Sequence, residues 1–277
     1  MTYPPPSALL RKYGLHAKKS WGQNFLCDEG VLRHMARLAV EEKGQRVVEL
    51  GAGLGHLTAR LIERGADVVA VERDRDMAMV LRGEIGDRAR VVEADAAQLD
   101  YRALAAGGKL AVVGNLPYHL TSSILFSVLD APQVLSRAIF LLQREVAERL
   151  AAGPGTKAWG LLSVLLQQRA RVQLERRVAP SAFLPQPRVE SAVLQMDFGP
   201  PRVAVADEGR FGRLVKAGFA QRRKMLSNAL AAGRVASPDK VVAALRVAGI
   251  DPHRRGETLS VEEWAALDRA LEDDARG

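Results

Sequence analysis

At 277 residues the chain suits one large domain or a medium one with a small companion, and its 48% apolar content is that of a globular protein with a full core. A formal net charge of +8 and a pI of about 9.9 favour a polyanionic partner, nucleic acid foremost. The single cysteine, Cys27, excludes an internal disulfide framework, and with no long uncharged apolar run and no signal-peptide core in the sequence, a cytoplasmic protein away from the membrane is expected.

The opening residues, MTYPPPSALLRKYG, contain three prolines in a row and read as a flexible arm. Cys27, between Leu26 and Asp28, reads as a packing residue. From Asp28 the pattern DEGVLRHMARLAV predicts a helix with Val31, Leu32, Met35, Leu38 and Ala39 on one face and Asp28 as N-cap. Strands are predicted at 46–50 (RVVEL), 67–72 (DVVAVE), 89–94 (ARVVEA), 109–114 (KLAVVG) and 137–142 (RAIFLL). The helices between them begin near Gly55, Asp74, Leu99 and Leu120. Near-continuous apolar strands alternating with helices imply a parallel sheet covered on both faces. RARVQLERRV (169–178) and SAVLQMDF (191–198) are expected to add antiparallel strands at one edge.

FGPPRVAVADEG (198–209) interrupts the pattern and is the expected linker. Beyond it the periodicity is helical throughout, in RFGRLVKAGFAQ, KMLSNALAA, PDKVVAALRVAG and SVEEWAALDRALEDD. The predicted fold is therefore α/β, a Rossmann-like sheet over 28–200 followed by a small all-helical domain over 201–277.

VVELGAGLGHLTARL (47–61) is a strand, a glycine-rich turn and a helix start, in which Gly51, Gly53 and Gly55 allow a tight turn and close approach of a ligand. Such a loop alone is a weak signal, since packing can also require glycine. His56 stands where a dinucleotide fingerprint would have its third glycine, which argues against a nicotinamide cofactor. The second strand ends at Glu72, able to accept both hydroxyls of a ribose, and the third is followed by Asp95, able to accept from an adenine amine. Three strands delivering Gly51, Glu72 and Asp95 to one sheet edge suit an adenosine cofactor without a diphosphate, such as S-adenosylmethionine. No metal is expected.

The fourth strand runs into Asn115, Leu116, Pro117 and Tyr118. The side-chain oxygen of Asn115 and a backbone carbonyl, that of Leu116, could accept both N–H bonds of an exocyclic amine and aim its lone pair at an electrophile. Pro117 stiffens the turn. Tyr118 offers a face on which a flipped base stacks, worth roughly 1–3 kcal/mol. The chemistry implied is transfer of a sulfonium methyl to a base nitrogen, driven mostly by positioning. His119 would either contact the target base or cap the next helix, and the cap is the favoured reading.

KKSWGQNFL, ELGAGLGHLT, VVAVERD, EADA, GNLPYHL, LLQREVAERL, AFLPQPRVESAVL and FAQRRKMLSNAL occur in this order, and with them the chain resembles the ribosomal RNA adenine dimethyltransferases from about Lys18 to the last helices. QRRKMLSNAL and GIDPHRRGETLS (249–260) are similar to the bacterial small-subunit branch, which is associated with kasugamycin sensitivity. The resemblance implies a class I S-adenosylmethionine-dependent fold and roles residue by residue. Asn24 and Leu26 would touch the cofactor and close over its methionine end, so that 1–27 combines an arm with a closing motif. Gly51 and Gly53 would line the cofactor, Glu72 hold its ribose and Asp95 its adenine; Asn115 would meet both cofactor and target nitrogen, and Tyr118 stack on the base. It further implies four methyl transfers to two adjacent adenosines near the 3′ end of small-subunit (16S) rRNA in an immature subunit. Independently of the resemblance, a monomer is expected. The large-subunit enzymes of macrolide resistance and a non-catalytic RNA-binding assembly factor are the competing readings.

A base must leave its stack to reach Asn115, so an unpaired region is the natural target. The basic residues available include Arg11, Lys12, Lys18 and Lys19, then Arg144, Lys157, Arg169, Arg171, Arg176 and Arg177. The dense QRRK cluster, Arg222, Arg223 and Lys224 at an expected helix start, is the best candidate for phosphate contact. AAGPGTKAWG (151–160) is expected to be a mobile RNA-facing loop. Phe183 would either lean over the substrate pocket or plug the sheet edge. The acidic last helix, with Glu262, Glu263, Glu272, Asp273 and Asp274, is expected to face away from RNA.

Overall fold

The computed structural model describes residues 3–18 and 21–276. Lys19 of the expected basic arm lies outside the described residues, as do the side chains of Asp273 and Asp274. By its internal contacts the chain forms two compact units, 1–147 with 172–199 and 148–171 with 200–277.

The first unit begins with α1 (Pro6–Lys12) and the two-residue β1 (Phe25–Leu26), then alternates α2 (Glu29–Ala39), β2 (Arg46–Leu50), α3 (His56–Glu63) and β3 (Asp67–Glu72). It continues through α4 (Arg75–Ile85), β4 (Arg90–Glu93), α5 (Tyr101–Ala105), β5 (Leu110–Asn115), α6 (Thr121–Leu129) and β6 (Leu135–Gln143). Helix α7 (Arg144–Ala151) carries the chain out; α8 (Leu161–Arg169) and β7 (Ala170–Val178) bring it back. The short β8 (Phe183–Leu184) and the long β9 (Ser191–Phe198) complete the unit.

Seven strands form one sheet in the order β4-β3-β2-β5-β6-β9-β7. Strands β4 to β6 are parallel, and β9 runs antiparallel to β6. The central strands read RVVEL, DVVAVE and LAVVGN because both faces are covered: Val47, Val48, Ala70, Val71, Val112 and Val113 are all fully buried. Asp28 and Asp74 cap α2 and α4 by accepting from the Val31 and Asp76 amides. After β4 the chain crosses back to place β5 on the far side of β2, so the strand order reverses between β2 and β5. Open parallel sheets bind ligands at such a switch point, beyond the carboxyl ends of the strands.

Within the arm, residues 6–12 form a packed helix. Leu9 of α1 is 1% exposed and shares a small apolar cluster with Phe25, Leu54, Met77 and Val80. Proline at the first helical position nucleates α1 rather than breaking it. Cys27 is exposed, not packed: it follows β1 in a turn whose amides both reach the Ala182 carbonyl, and the strand pairing leaves its side chain outside. Strand β8 pairs antiparallel with β1, which buries Phe183 in the sheet's core, so Phe183 plugs the edge and does not lean over a pocket.

The second unit contains α8 and four later helices, α9 (Glu208–Ala220), α10 (Leu226–Ala232), α11 (Pro238–Val247) and α12 (Val261–Arg276). Residues 148–171 belong with it, and not with the α/β domain that the sequence pattern predicts over 28–200. Trp159 and Val164 are the reason: both are buried in the core built by Phe211, Leu214, Leu245 and Trp264. The segment 151–160 is accordingly tied down, with Trp159 Nε1 donating to the Leu259 carbonyl at 3.0 Å and the Gly155 amide to that of Glu257 at 2.8 Å. QRRK does not start a helix. Gln221 ends α9, and Arg222 to Lys224 form the turn before α10. No helix among the described residues is long and apolar enough to cross a membrane.

Candidate active site

The turn after β2 folds back over β3, with the amides of Gly51 and Ala52 both donating to the Val71 carbonyl. Gly51 and Gly53 have φ of +67° and +54°, in the left-handed region that favours glycine. The Gly53 amide donates to one carboxylate oxygen of Glu72 at 2.8 Å, and the Asp74 amide donates to the other at 2.8 Å. Glu72, 9% exposed, thus fixes the loop and the start of α4 at once, with lone pairs left on both oxygens. Burial raises its pKa, against the lowering effect of the backbone donors of Asp74, Gly53 and Arg73. Asp95, after β4, accepts from the Ala97 amide and pairs with Arg73 at 3.2 Å.

At the end of β5 the Asn115 Nδ2 donates to the backbone carbonyl of Asn24 at 2.8 Å. A carbonyl only accepts, so this bond fixes the amide's orientation and leaves Oδ1 as the acceptor not used by the tether. Leu116 is buried, and its amide donates to the Leu141 carbonyl. The Pro117 carbonyl is taken up by the Leu120 amide and the Thr121 hydroxyl, so Leu116 supplies the turn's other candidate carbonyl. Tyr118 is half-buried, and its hydroxyl shares a hydrogen bond of 3.1 Å with the hydroxyl of Ser191, which is 1% exposed at the start of β9. His119 does not cap α6; it faces the same cavity from a short 3-10 turn, beside Gly22.

The segment before β1 closes the third side. Gln23 accepts from the Lys18 amide and donates to Asp74, while Lys18 pairs with Asp74 and Asp76. Trp21 is 42% exposed, and Lys18 and Arg73 approach its ring to 5.5 and 5.7 Å. Asn24, Leu26, Gly51, Gly53, Glu72, Asp95, Asn115, Leu116, Pro117 and Tyr118, every cofactor and catalytic residue expected from sequence, line one cavity of about 410 Å³. That is within the roughly 300–1,000 Å³ of small-molecule sites.

Sequence reasoning missed three contributors. Glu49, 2% exposed on the cavity wall, accepts from the Thr58 hydroxyl at 2.5 Å; burial lifts its carboxyl to about 8, with the Thr58 bond opposing and the Glu72 charge adding to the shift. It stands in plain view in ELGAG, but its side chain's direction is a tertiary fact. Trp21 and Ser191 carry no local signal. The lining holds the carboxyls of Glu49, Glu72 and Asp95; burial keeps Glu49 protonated at neutral pH, and Asp95 already engages Arg73. Such a set suits hydroxyls and amines and disfavours a phosphate.

The family model for ribosomal RNA adenine dimethylase matches residues 14–272. The chain belongs to the ribosomal RNA adenine dimethylase family. Among family relatives, it is 64% identical to ribosomal RNA small subunit methyltransferase A of Anaeromyxobacter dehalogenans (strain 2CP-C), over 97% of this chain and 98% of that one. It is 49% identical to the protein of the same name from Myxococcus xanthus (strain DK1622), over 96% and 95%. Among solved structures, the 23S rRNA methyltransferase ErmE superposes with a TM-score of 0.71 at 27% identity, over 90% of this chain and 100% of that one. A dimethyladenosine transferase from Plasmodium falciparum shares the fold at 20% identity, with a TM-score of 0.79 over 91% and 98%. As in that family, the molecule is an α/β methyltransferase.

Of the basic residues expected to meet RNA, several are engaged within their own unit. Arg222 pairs with Glu257 at 3.1 Å and donates to the Lys157 and Trp159 carbonyls, which makes it a brace for the segment before α8. Arg169 pairs with Glu208, Arg144 with Glu190, and Lys12 with Glu84. Arg223 and Lys224 are exposed. In the last helix Glu262, Glu263 and Glu272 answer Arg202, Arg254 and Arg210, so its acidity holds the second unit together.

Proposed function

We propose that the protein transfers methyl groups from S-adenosylmethionine to N6 of two adjacent adenosines near the 3′ end of small-subunit rRNA, giving N6,N6-dimethyladenosine within an immature subunit. The cofactor supplies an electrophilic methyl group. Gly51 and Gly53 line its path, Glu72 receives the ribose hydroxyls, Asp95 the adenine amine, and Asn24 and Leu26 close the methionine end. Asn115 Oδ1 and the Leu116 carbonyl accept from the target amine, Pro117 holds their spacing, and Tyr118 supports the flipped base. The α/β unit carries the chemistry, and the helical unit, through Arg223 and Lys224, recognises the subunit.

One observation carries the reading above all: the Asn24 carbonyl orients Asn115 so that its acceptor oxygen is the atom left for the substrate. An oxygen there suits an amine and would repel a ring nitrogen's lone pair. The relatives at 64% and 49% identity bear small-subunit names, whereas the large-subunit ErmE is at 27%, which favours the small subunit as target.

The test incubates undermodified ribosomal subunits with methyl-labelled S-adenosylmethionine and analyses the digested RNA by mass spectrometry. Dimethyladenosine confined to the small-subunit RNA is expected, and Asn115→Ala abolishes it while leaving subunit binding intact. Label in large-subunit RNA, or dimethyladenosine formed by the variant, would refute the assignment.

A further inference from the structure

The N-terminal segment carries an inference that rests on the cofactor reading above and concerns the loop that frames it. Two polar contacts join residues 3–4 to the glycine loop. The Tyr3 hydroxyl donates to the Leu54 carbonyl at 2.7 Å. His56 Nε2 lies 2.9 Å from the Pro4 carbonyl, and since that carbonyl only accepts, Nε2 bears the proton. Burial lowers the His56 pKa to about 4, so the ring stays neutral at physiological pH, with Nδ1 bare. The Tyr3 and His56 rings meet edge to face, 5.1 Å apart at 83°.

Packing backs the polar contacts. A Cβ on Gly55, whose φ is +86°, would come within 2.6 Å of the Tyr3 hydroxyl and 2.7 Å of Leu81, so the loop is shaped to receive the tyrosine. Leu9 of α1 is buried with Leu54 of the loop and Phe25 of β1, and the Phe25 ring lies 3.5 Å from where a Gly53 Cβ would be. Farther along, the Tyr13 hydroxyl donates to Glu84 at 2.8 Å, tying the end of this segment to α4. Gly53, Leu54 and His56 line the cavity, whereas Tyr3, Leu9 and Tyr13 are not among its lining residues.

We propose that residues 3–13 are a strap that sets the glycine loop for the cofactor from outside the cavity, with Tyr3 as its positioning residue. The segment touches the loop at a backbone carbonyl and at a side chain, and both contacts constrain the stretch between Gly53 and α3. A loop released from the strap samples other conformations, and the cofactor must then pay to restore the competent one. The strap therefore acts on cofactor affinity and leaves the methyl-transfer step at saturation alone.

The experiment titrates S-adenosylmethionine calorimetrically into the full chain, into Tyr3→Phe, and into a chain lacking residues 1–13. In parallel, the Michaelis constant for cofactor, the turnover at saturating cofactor, and the melting temperature are measured for each. Tyr3→Phe keeps the ring and loses one neutral hydrogen bond, so its dissociation constant rises about 5-fold, with turnover at saturation within twofold of the parent. Removing 1–13 raises it further, by tens of fold. If the deletion does not fold, Tyr3→Phe decides alone. Lower melting temperatures with unchanged cofactor affinity would mean a merely structural segment and overturn the strap. A fall in saturated turnover with unchanged affinity would overturn it as well. If the parent chain itself gives no heat, the cofactor reading fails and the strap with it; binding by parent and variants alike sinks only the strap.

Discussion

Gly114 sits where β5 passes β2 at the mouth of the site, opposite Leu50 in the ladder. A Cβ added there would lie 2.5 Å from the Leu50 carbonyl oxygen and 3.2 Å from the Leu50 Cβ, whereas ordinary contact begins at 3.4 Å. Gly114→Ala therefore asks the two strands to part by about 0.9 Å at their carboxyl ends, against a backbone oxygen that cannot swing aside. Overpacking of this kind costs about 1–3 kcal/mol, and a melting temperature in a unit this size falls by roughly 2–4 °C per kcal/mol. The functional loss is larger than the stability loss. Leu50 leads directly into Gly51 and Gly114 into Asn115, so the parting moves the glycine loop relative to the amide proposed to hold the target. A misplacement near 1 Å costs about 10²-fold in rate. Single-turnover methyl transfer at saturating cofactor and RNA, beside thermal unfolding, measures both. A folded variant with a rate within twofold of the parent would show that the two strand ends do not share the reaction geometry.

Ser191→Ala removes the partner of the Tyr118 hydroxyl while leaving the ring in place. Loss of one hydrogen bond worth about 1 kcal/mol lowers kcat/KM for RNA about 5-fold, with cofactor affinity unchanged; an unaltered kcat/KM would mean the ring is held by packing alone. Glu49 supplies a pH signature. Its carboxyl titrates near 8 in the fold because of burial, against 4.5 for an unperturbed glutamate, so between those values the folded state holds a proton that the unfolded state has released. Stability on this account is full below about pH 4.5 and falls as pH rises toward 8, by at most about 1.4 kcal/mol per unit. Glu49→Gln flattens that slope, and denaturant midpoints from pH 5 to 8 report it. Parallel profiles for parent and variant would place an ionised carboxylate in the fold.

Much of the catalytic unit could be read along the chain, and the reason is local periodicity. Strands whose two faces are both covered carry apolar runs with no polar alternation, and the runs inside RVVEL, DVVAVE and SAVLQMDF mark those strands to the residue. Glycines at positive φ, aspartate caps and a strand ending in Asn-Leu-Pro-Tyr are equally local, and the parallel order alone brings their ends to one edge. What the pattern could not supply is the pairing of distant segments. YPPPSALLRKYG (3–14) has the composition of a loose arm, and only contact with the glycine loop and α4 makes it ordered. Residues 148–171 have the periodicity of any helix-bearing segment; Trp159 settles which of two cores they complete.

The same division runs through the site. Residue type and spacing along the chain named the glycine loop, Glu72, Asp95 and the NLPY turn. The three-dimensional fold alone decided which way the Asn115 amide faces, through a carbonyl 91 positions away, and what steadies Tyr118, through a serine 73 positions away. A hydrogen bond constrains two groups by distance and direction, and neither survives projection onto a linear sequence. Composition and periodicity act over a few residues and are written there directly, whereas the orientation of a reactive atom is set by whichever remote segment the fold brings beside it.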